Sequence, residues 1–269
     1  MIEAALPYLR CPLCAGTLAR PDERTVRCAR GHAFDLARQG YASLTTGRAP
    51  HSGDTAEMIT ARESFLAAGH YGFIAEALAG AADGAEGLVV DAGVGTGYYL
   101  ARVLDARPAA VGLGLDVSKP ALRRAARAHP RAAAALVDLW QPLPLRDASA
   151  ALILNVFAPR NGPEFRRVLR AGGALVVVTP AAGHLAELID AYGLIQVDPD
   201  KAERVSASLG AHFSAVDTTT HEQRLRLSGD EVRTLVGMTP SARHVSPGDL
   251  PGEAVEVTAA VELTVHRPR

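Results

Sequence analysis

GLVVDAGVGTG, residues 87–97, decides the fold. An apolar run closed by Asp91 and followed by Gly93, Gly95 and Gly97 reads as a buried strand entering a tight turn, where the backbone must come close to a ligand. The next apolar run, AVGLGLDVS, ends in Asp116, 25 residues after Asp91, a spacing that suits an acid receiving ribose hydroxyls at the end of a second parallel strand. Ser118 caps the following helix, Pro120 is tolerated in its first turn, and ALRRAARAH supplies helix formers. Strands are expected again at AAALVD (133–138), ALILNVF (151–157) and ALVVVTP (174–180), the last after a helix through EFRRVLR and the pair Gly172-Gly173. Strands alternating with helices imply an α/β doubly wound, mostly parallel sheet with its ligand over the carboxyl ends of the strands.

Two ligands place glycines and an acid here, a nicotinamide dinucleotide and S-adenosylmethionine. Three features favour the second. Asp91 precedes the glycines, where a methionine amino group is held. Asp138 ends the third strand, where adenine recognition is commonly placed, and Leu143-Pro144-Leu145 follows it like the L-P-F element of class I methyltransferases. The tail EAVEVTAAVELTVH (253–266) alternates as a long strand after the helix GDEVRTLVGM, which suits the reversed hairpin that closes a seven-stranded methyltransferase sheet.

All three cysteines fall in CPLCAGTLARPDERTVRCARGH, residues 11–32. Cys11 and Cys14 flank a two-residue turn, and Cys28 stands four before His32. A second pair on a returning hairpin completes a tetrahedron, the geometry of a closed structural zinc site. His51 or water is the alternative fourth ligand. A thioredoxin-like redox motif would sit between a strand and a helix, and no such pattern surrounds these cysteines. The metal would fold a segment too small to rest on hydrophobic burial alone.

The composition, 48% apolar and 21% charged, contains no apolar run near the ~20 residues needed to span a bilayer, so no membrane role is expected. The N-terminus lacks a secretory pattern, which makes the cytoplasm the default. Net charge is −1, no signature of a nucleic-acid binder, but residues 1–50 carry seven arginines against four acids. That arginine-rich head could favour a polyanion at one end.

Between head and sheet, GDTAEMITARESFLAAGHYGFIAEAL sets Met58, Ile59, Phe65 and Leu66 at helical spacing, so one helix face is buried. Arg62 shares that face and needs an acid or an anionic ligand, unless it snorkels to the surface.

Taken together, CPLC…CARGHAFDLARQGYASL (11–44), GDTAEMITARESFLAAGHY (53–71), VVDAGVGTGYY (89–99), GLDVSKPAL (114–122), NVFAP (155–159), GGALVVVTPAAGHLAEL (172–188) and MTP (238–240) resemble the large-subunit ribosomal RNA guanine-N(1) methyltransferases, including the branch that confers resistance to tylosin-type macrolides. The resemblance implies a class I methyltransferase that moves a methyl group from S-adenosylmethionine to N(1) of a guanine in a 23S rRNA hairpin. It implies a zinc-binding, RNA-recognising domain over 1–46, a helical linker over 47–80 and the methyltransferase domain over 81–269. By that likeness Cys11, Cys14, Cys28 and His32 hold zinc. Asp91, Gly93, Gly95, Gly97 and Asp116 hold the cofactor, and Arg62, Tyr71, Val117, Asp138 and Leu139 complete its expected surroundings. Val94 and Thr96 stand where relatives often carry cysteine and glutamate, a change that a backbone-mediated contact tolerates.

Asn155, at the end of the fourth strand, is the expected catalytic residue, bonding the base edge; an amide cannot act as the base. Phe157 or Tyr98 could stack on a guanine turned out of its hairpin. An RNA grip, a homodimer contact and a scaffold are the uses open to the head. A small-molecule methyltransferase, a non-catalytic zinc RNA-binding protein and a nicotinamide dehydrogenase are the rival readings.

Overall fold

The computed structural model describes residues 2–47, 53–194, 208–245 and 247–269. Strands in chain order are β1 Leu18–Ala19, β2 Thr25–Cys28, β3 Ala33–Asp35, β4 Ala42–Ser43, β5 Gly87–Ala92, β6 Ala110–Asp116, β7 Ala132–Leu136, β8 Ala150–Val156, β9 Leu169–Pro180, β10 Phe213–Leu227 and β11 Val255–Pro268. The helices used below are α1 Ile2–Ala5, α2 Ala56–Ala67, α3 Gly72–Ala81, α4 Tyr98–Ala106, α5 Lys119–Ala125, α6 Gly162–Val168, α7 Ala186–Tyr192 and α8 Gly229–Gly237.

The main sheet runs β10-β11-β9-β8-β5-β6-β7-β4. Strands β4 to β9 pair in parallel, while β11 is antiparallel to β9 and to β10. This is the class I methyltransferase sheet expected above, closed by its reversed hairpin, and it differs from the all-parallel order of a dinucleotide dehydrogenase. The seven expected strands gain an eighth. Strand β4, from the cysteine-rich head, pairs Ala42 with Ala135 and Ser43 with Leu136, and so covers backbone groups that β7 would otherwise expose at the edge.

Side chains alternate across the sheet. Leu88, Val90 and Ala92 of β5 face one apolar cluster and Val89 the other. On the Val89 side pack α2, α3, α4, α5, α7 and α8 through residues such as Phe65, Ile74, Leu104, Leu122, Leu188 and Val232. Met58, Ile59, Phe65 and Leu66 are all buried, as their spacing predicts.

The opposite face is covered differently. The crossover from β7 to β8, residues 137–149, contains no helix. The head covers that face instead, bringing Ile2, Ala5, Leu9, Val26 and Phe34 into one buried cluster with Leu88, Leu113 and Ile153. Backbone bonds fix the docking: Leu9 bridges Leu145 antiparallel, Arg10 N–H donates to the Pro144 carbonyl at 3.0 Å, and Arg146 N–H to Tyr8 at 2.9 Å. The segment expected as a helical linker carries α2 and α3, from which Phe65, Leu66, Ile74 and Leu78 join the core of the sheet.

One boundary moved. The helix expected through EFRRVLR stops at Val168, and β9 starts at Leu169, five residues before Ala174. A register shift separates the pairs Ala150–Leu169 and Leu152–Ala174, and Gly172 takes φ +75° inside it. The two glycines therefore make an irregularity within the strand rather than a turn before it.

Candidate functional site

Two constellations stand out. In the head, β1, β2 and β3 form a small antiparallel sheet. Turns at Cys11–Gly16 and Cys28–His32, closed by Cys11 N–H to the Gly16 carbonyl and Cys28 N–H to His32, bring Cys11, Cys14, Cys28 and His32 together with all ligand atoms within 4.8 Å. Sγ of Cys14 and Cys28 lie 3.7 Å apart, and Nδ1 of His32 lies 3.6 Å from Cys11 Sγ and 3.4 Å from Cys28 Sγ. Bond lengths of about 2.3 Å to sulfur and about 2.0 Å to nitrogen give a tetrahedron with edges of roughly 3.5–3.8 Å, so this donor set fits zinc. His51 lies outside the described residues. Burial pushes the Cys28 thiol up, but backbone N–H groups of His32 and Arg30 and the two neighbouring thiols outweigh it and bring the pKa down to about 6. Burial raises that of Cys11.

The second constellation sits at the carboxyl ends of β5, β6, β7 and β8. Asp91 is buried, and its Oδ1 has no hydrogen-bond partner among the described residues. Burial first and the Asp116 carboxylate second push its pKa up to about 8. A cation brought beside it would reverse that shift. Asp116 accepts Gly95 N–H at 2.9 Å and Ser118 N–H at 2.8 Å. A carboxylate offers about four acceptor positions, so about two remain open beside these amides. Burial raises its pKa, against the pull of those two amides.

The three glycines are demanded by different neighbours. All have positive φ. A Cβ on Gly93 would meet that of Ala158 at 2.3 Å, and one on Gly97 the Ala128 Cβ at 2.7 Å and the Ala125 Cα at 3.0 Å. The chain itself makes the close approach at both. Beside Gly95 lies the Arg62 guanidinium, 3.5 Å from where a Cβ would be.

Arg62 finds its acid. It pairs with Asp54 Oδ2 at 2.6 Å and donates to the Met238 carbonyl at 3.0 Å, joining the GDTAEM and MTP segments over the glycine turn. Gly53 packs against Ser118 so closely that a Cβ would fall within 2.7 Å of it, and Ser118 Oγ donates to the Asp54 carbonyl. Tyr71 is buried edge-on against Phe65, with the His184 ring 6.3 Å away, and burial raises its pKa. Val117 is half-buried, while Asp138 and Leu139 are buried beyond the end of β7.

Asn155 is fully buried. Its Nδ2 donates to the carbonyls of Ala92 at 3.1 Å and Pro159 at 2.9 Å, which fixes the orientation of the amide. Oδ1 has no partner among the described residues. The amide therefore clasps the NVFAP loop to the end of β5. In that loop Phe157 holds φ +52° and is partly exposed, its ring 6.2 Å from His184. Such a conformation in a bulky residue stores strain, a mark of functional loops.

Comparison with known proteins agrees with this geometry. A family model described as the N-terminal zinc ribbon of RlmA matches residues 9–46. A Micromonospora griseorubida protein named as a 23S rRNA (guanine-N(1)) methyltransferase is 58% identical, with 98% of each chain covered. A Streptomyces fradiae 23S rRNA (guanine(748)-N(1)) methyltransferase is 51% identical over 100% of this chain and 99% of its own. The chain belongs to the 23S rRNA (guanine-N(1)) methyltransferase family. A Bacillus subtilis protein given the same family name is 30% identical over 87% of this chain and 86% of its own. For the fold, a methyltransferase solved with the Haloferax volcanii Trm112 activator superposes with TM-score 0.53 at 18% identity, covering 80% of this chain and 98% of its own. As a family member the chain is an S-adenosylmethionine-dependent enzyme with a zinc ribbon, and rRNA is its substrate. Among the described residues no helix is long and apolar enough to cross a membrane.

Sequence reasoning missed three residues near these side chains. Asp54 is the acid of Arg62, and the GD pair that opens its segment was the available signal. His184 is buried with its Nδ1 accepting Ala260 N–H at 3.2 Å, and only its place in GGALVVVTPAAGHLAEL pointed to it. Trp140 is the chain's one tryptophan, exposed two residues after Asp138.

Proposed function

We propose that this enzyme methylates N(1) of the guanine corresponding to position 748 of 23S rRNA, within a hairpin, in the cytoplasm, and so protects the ribosome against tylosin-type macrolides. The observation that carries the position is full-length identity of 51% to the relative named for that nucleotide. Within the active site, Asp91 holds the ammonium of the donor's amino-acid tail, and the free acceptor positions of Asp116 take the ribose hydroxyls. Asp138, Leu139 and Val117 flank the adenine, while Arg62 and Tyr71 close the side opposite the strand ends.

The cofactor supplies an electrophilic methyl on a sulfonium. Transfer would exchange the S–CH3 bond for N(1)–CH3, leaving a neutral thioether and releasing the guanine N(1) proton to water; positive charge disperses in the process, so the protein contributes chiefly alignment in a dry pocket. Asn155 acts through the loop it clasps, setting Phe157 and the NVFAP backbone where the guanine enters. A hairpin guanine must leave its stack to reach that place, and Phe157 is an available stacking face.

The exposed arginines of the head, Arg24, Arg27 and Arg30, grip the RNA backbone. A head that served instead as a homodimer contact would leave RNA affinity indifferent to them.

The test is incubation of the zinc-loaded enzyme with methyl-labelled S-adenosylmethionine and a synthetic hairpin spanning position 748, followed by mass mapping. One methyl on that guanine is expected, and none when it is replaced by adenine. Methylation elsewhere, or none, overturns the proposal. Raised macrolide tolerance of a sensitive host expressing the enzyme, but not an Asp91→Asn variant, is the expected sign of the protective role.

A further inference from the structure

Between Asp116 and Asp138 the chain carries no acid and five cations, Lys119, Arg123, Arg124, Arg127 and Arg131, in a protein whose net charge is −1. Two of the five work inside the fold. Arg124 pairs with Glu63 at 3.3 Å and donates to Thr60, which ties α5 to α2. Arg131 donates to the carbonyls of Leu104, Arg107 and Ala110 at the end of α4. Lys119, Arg123 and Arg127 are left over. All three are exposed, and none forms an ion pair or a side-chain hydrogen bond with a described residue.

The helix accounts for only part of this row. Behind its Ser118 cap, α5 carries Arg123 and Arg124 in its last turn, where cations suit the negative end of the helix dipole. Lys119 is at the other end. As the first helical residue it sets a positive charge on the positive end of the dipole, a placement that helix formation disfavours. Residues four apart share a face, so Lys119 and Arg123 stand about 6 Å apart along the axis. Arg127 follows in the turn closed by its N–H on the Arg124 carbonyl, which extends the row to roughly 10–12 Å.

No acid beside the row is free to neutralise it. The elements packed on α5 are α2, β6 and β7, whose acids are Glu57, Glu63 and Asp116. Glu63 takes Arg124, Asp116 takes the amides of Gly95 and Ser118, and Glu57 bonds back to Thr55 at the start of its own helix. The large apolar side chains exposed among the described residues, Leu13, Trp140, Phe157 and Val216, all lie off α5, so this face offers no apolar centre for a protein partner. A polyanion fits it. With one phosphate per about 3.4 Å of a nucleic-acid strand, the row is long enough for about three. Its first member stands three residues after Asp116, at the end of the sheet that carries the strand-end site.

We infer that Lys119, Arg123 and Arg127 form a second phosphate-binding surface for rRNA, on a helix of the main sheet and separate from the zinc ribbon. This rests on the RNA-methylating function proposed above, but not on which guanine is methylated. The row binds the backbone and takes no part in the chemistry.

The probe is unmodified 23S rRNA with the zinc-loaded full-length enzyme. In the variant Lys119→Gln/Arg123→Gln/Arg127→Gln the slope of log affinity against log salt should become shallower by roughly 2–3, and the KM for rRNA should rise roughly ten- to a hundredfold. Turnover at saturating rRNA, calorimetric affinity for S-adenosylhomocysteine and the thermal midpoint should match wild type. The charge-keeping variant Lys119→Arg/Arg123→Lys/Arg127→Lys should hold the wild-type slope. So should Arg170→Gln/Arg226→Gln, which removes exposed cations from β9 and β10. An unchanged slope and KM in the glutamine variant overturn the inference, as does an equal loss per charge in the Arg170 and Arg226 control, which would be an effect of net charge alone. A wild-type enzyme that neither binds nor methylates 23S rRNA fails the proposed function and this inference with it; a wild type that methylates it while the glutamine variant keeps its slope fails this inference alone.

Discussion

The zinc ribbon and the strand-end site spend their polar atoms in opposite ways. In the ribbon, three thiols and one imidazole nitrogen converge within 4.8 Å and leave a metal no open position. At the strand ends, Asp91 Oδ1 and Asn155 Oδ1 are buried without partners among the described residues. An unpaired buried acceptor costs about 1–3 kcal/mol. A ligand bound at the strand ends would offset that cost. The contrast separates a ligand set closed on a metal from strand ends whose buried acceptors are left unpaired, and the two draw on different residue types.

Removing the metal should give the largest effect. Structural zinc in comparable peptides contributes ~10–16 kcal/mol. The head shares its buried cluster with the sheet and lends it β4, so loss of zinc should not stay local. Chelation, or Cys28→Ala, is expected to lower the thermal midpoint of the entire chain in a single transition. A second transition left at the wild-type temperature would show that head and sheet melt independently.

Next comes Asn155. Asn155→Ala removes the two bonds that hold the NVFAP loop to β5. Misplacing a reacting group by an ångström costs roughly 10²-fold in rate. Turnover should fall by about that factor while S-adenosylhomocysteine affinity, measured by calorimetry, changes little. Equal turnover would remove the clasp from the mechanism.

Asp91 should link binding to pH. Its folded pKa, pushed up to about 8 by burial and by Asp116, exceeds the unfolded value of about 3.9. The folded state then holds the proton more tightly than the unfolded one. The stability so gained is complete below pH ~4 and drains away as pH rises through about 8 in the cofactor-free enzyme. A ligand ammonium requires the carboxylate, so binding releases a proton, and affinity should climb by up to about tenfold per pH unit until pH ~8. Calorimetry at pH 6.5 in two buffers of different ionisation enthalpy reads the proton directly. Asp91→Asn should abolish it, and a wild-type affinity flat from pH 6 to 8 would contradict the assignment.

Much of this contrast is legible in the amino-acid sequence alone. GLVVDAGVGTG specified β5 and its turn because a buried parallel strand needs an unbroken apolar run and the turn needs positive φ, both of which are written in residue types. The ligand spacing of Cys11, Cys14, Cys28 and His32 was legible for the same reason: turns are local. What stayed hidden was long-range. Nothing in Ala42-Ser43 announces an edge strand on β7, and nothing in residues 137–149 says that the head will stand where a crossover helix could. Arg62 could be read as needing an anion, but its choice of Asp54 depends on a fold-back that periodicity does not encode. Gly93 and Gly97 looked like room for a ligand, and much of what they make room for is Ala158, Ala125 and Ala128.

The smallest effect concerns whether the ribbon does more than fold. Arg24, Arg27 and Arg30 are exposed and form no ion pair with a described residue, unlike Arg10 and Arg20, which pair with Asp147 and Glu3. Three free guanidinium groups on one hairpin are available to phosphates. Each phosphate contact adds about 0.7–0.9 to the slope of log affinity against log salt. Replacing all three by glutamine should make the slope for hairpin binding shallower by roughly 2–3, with zinc content and thermal midpoint unchanged because none of them is a ligand or a buried side chain. A slope identical to wild type would leave the ribbon a structural element or a contact between copies, and the work of holding RNA would then fall to the rest of the chain.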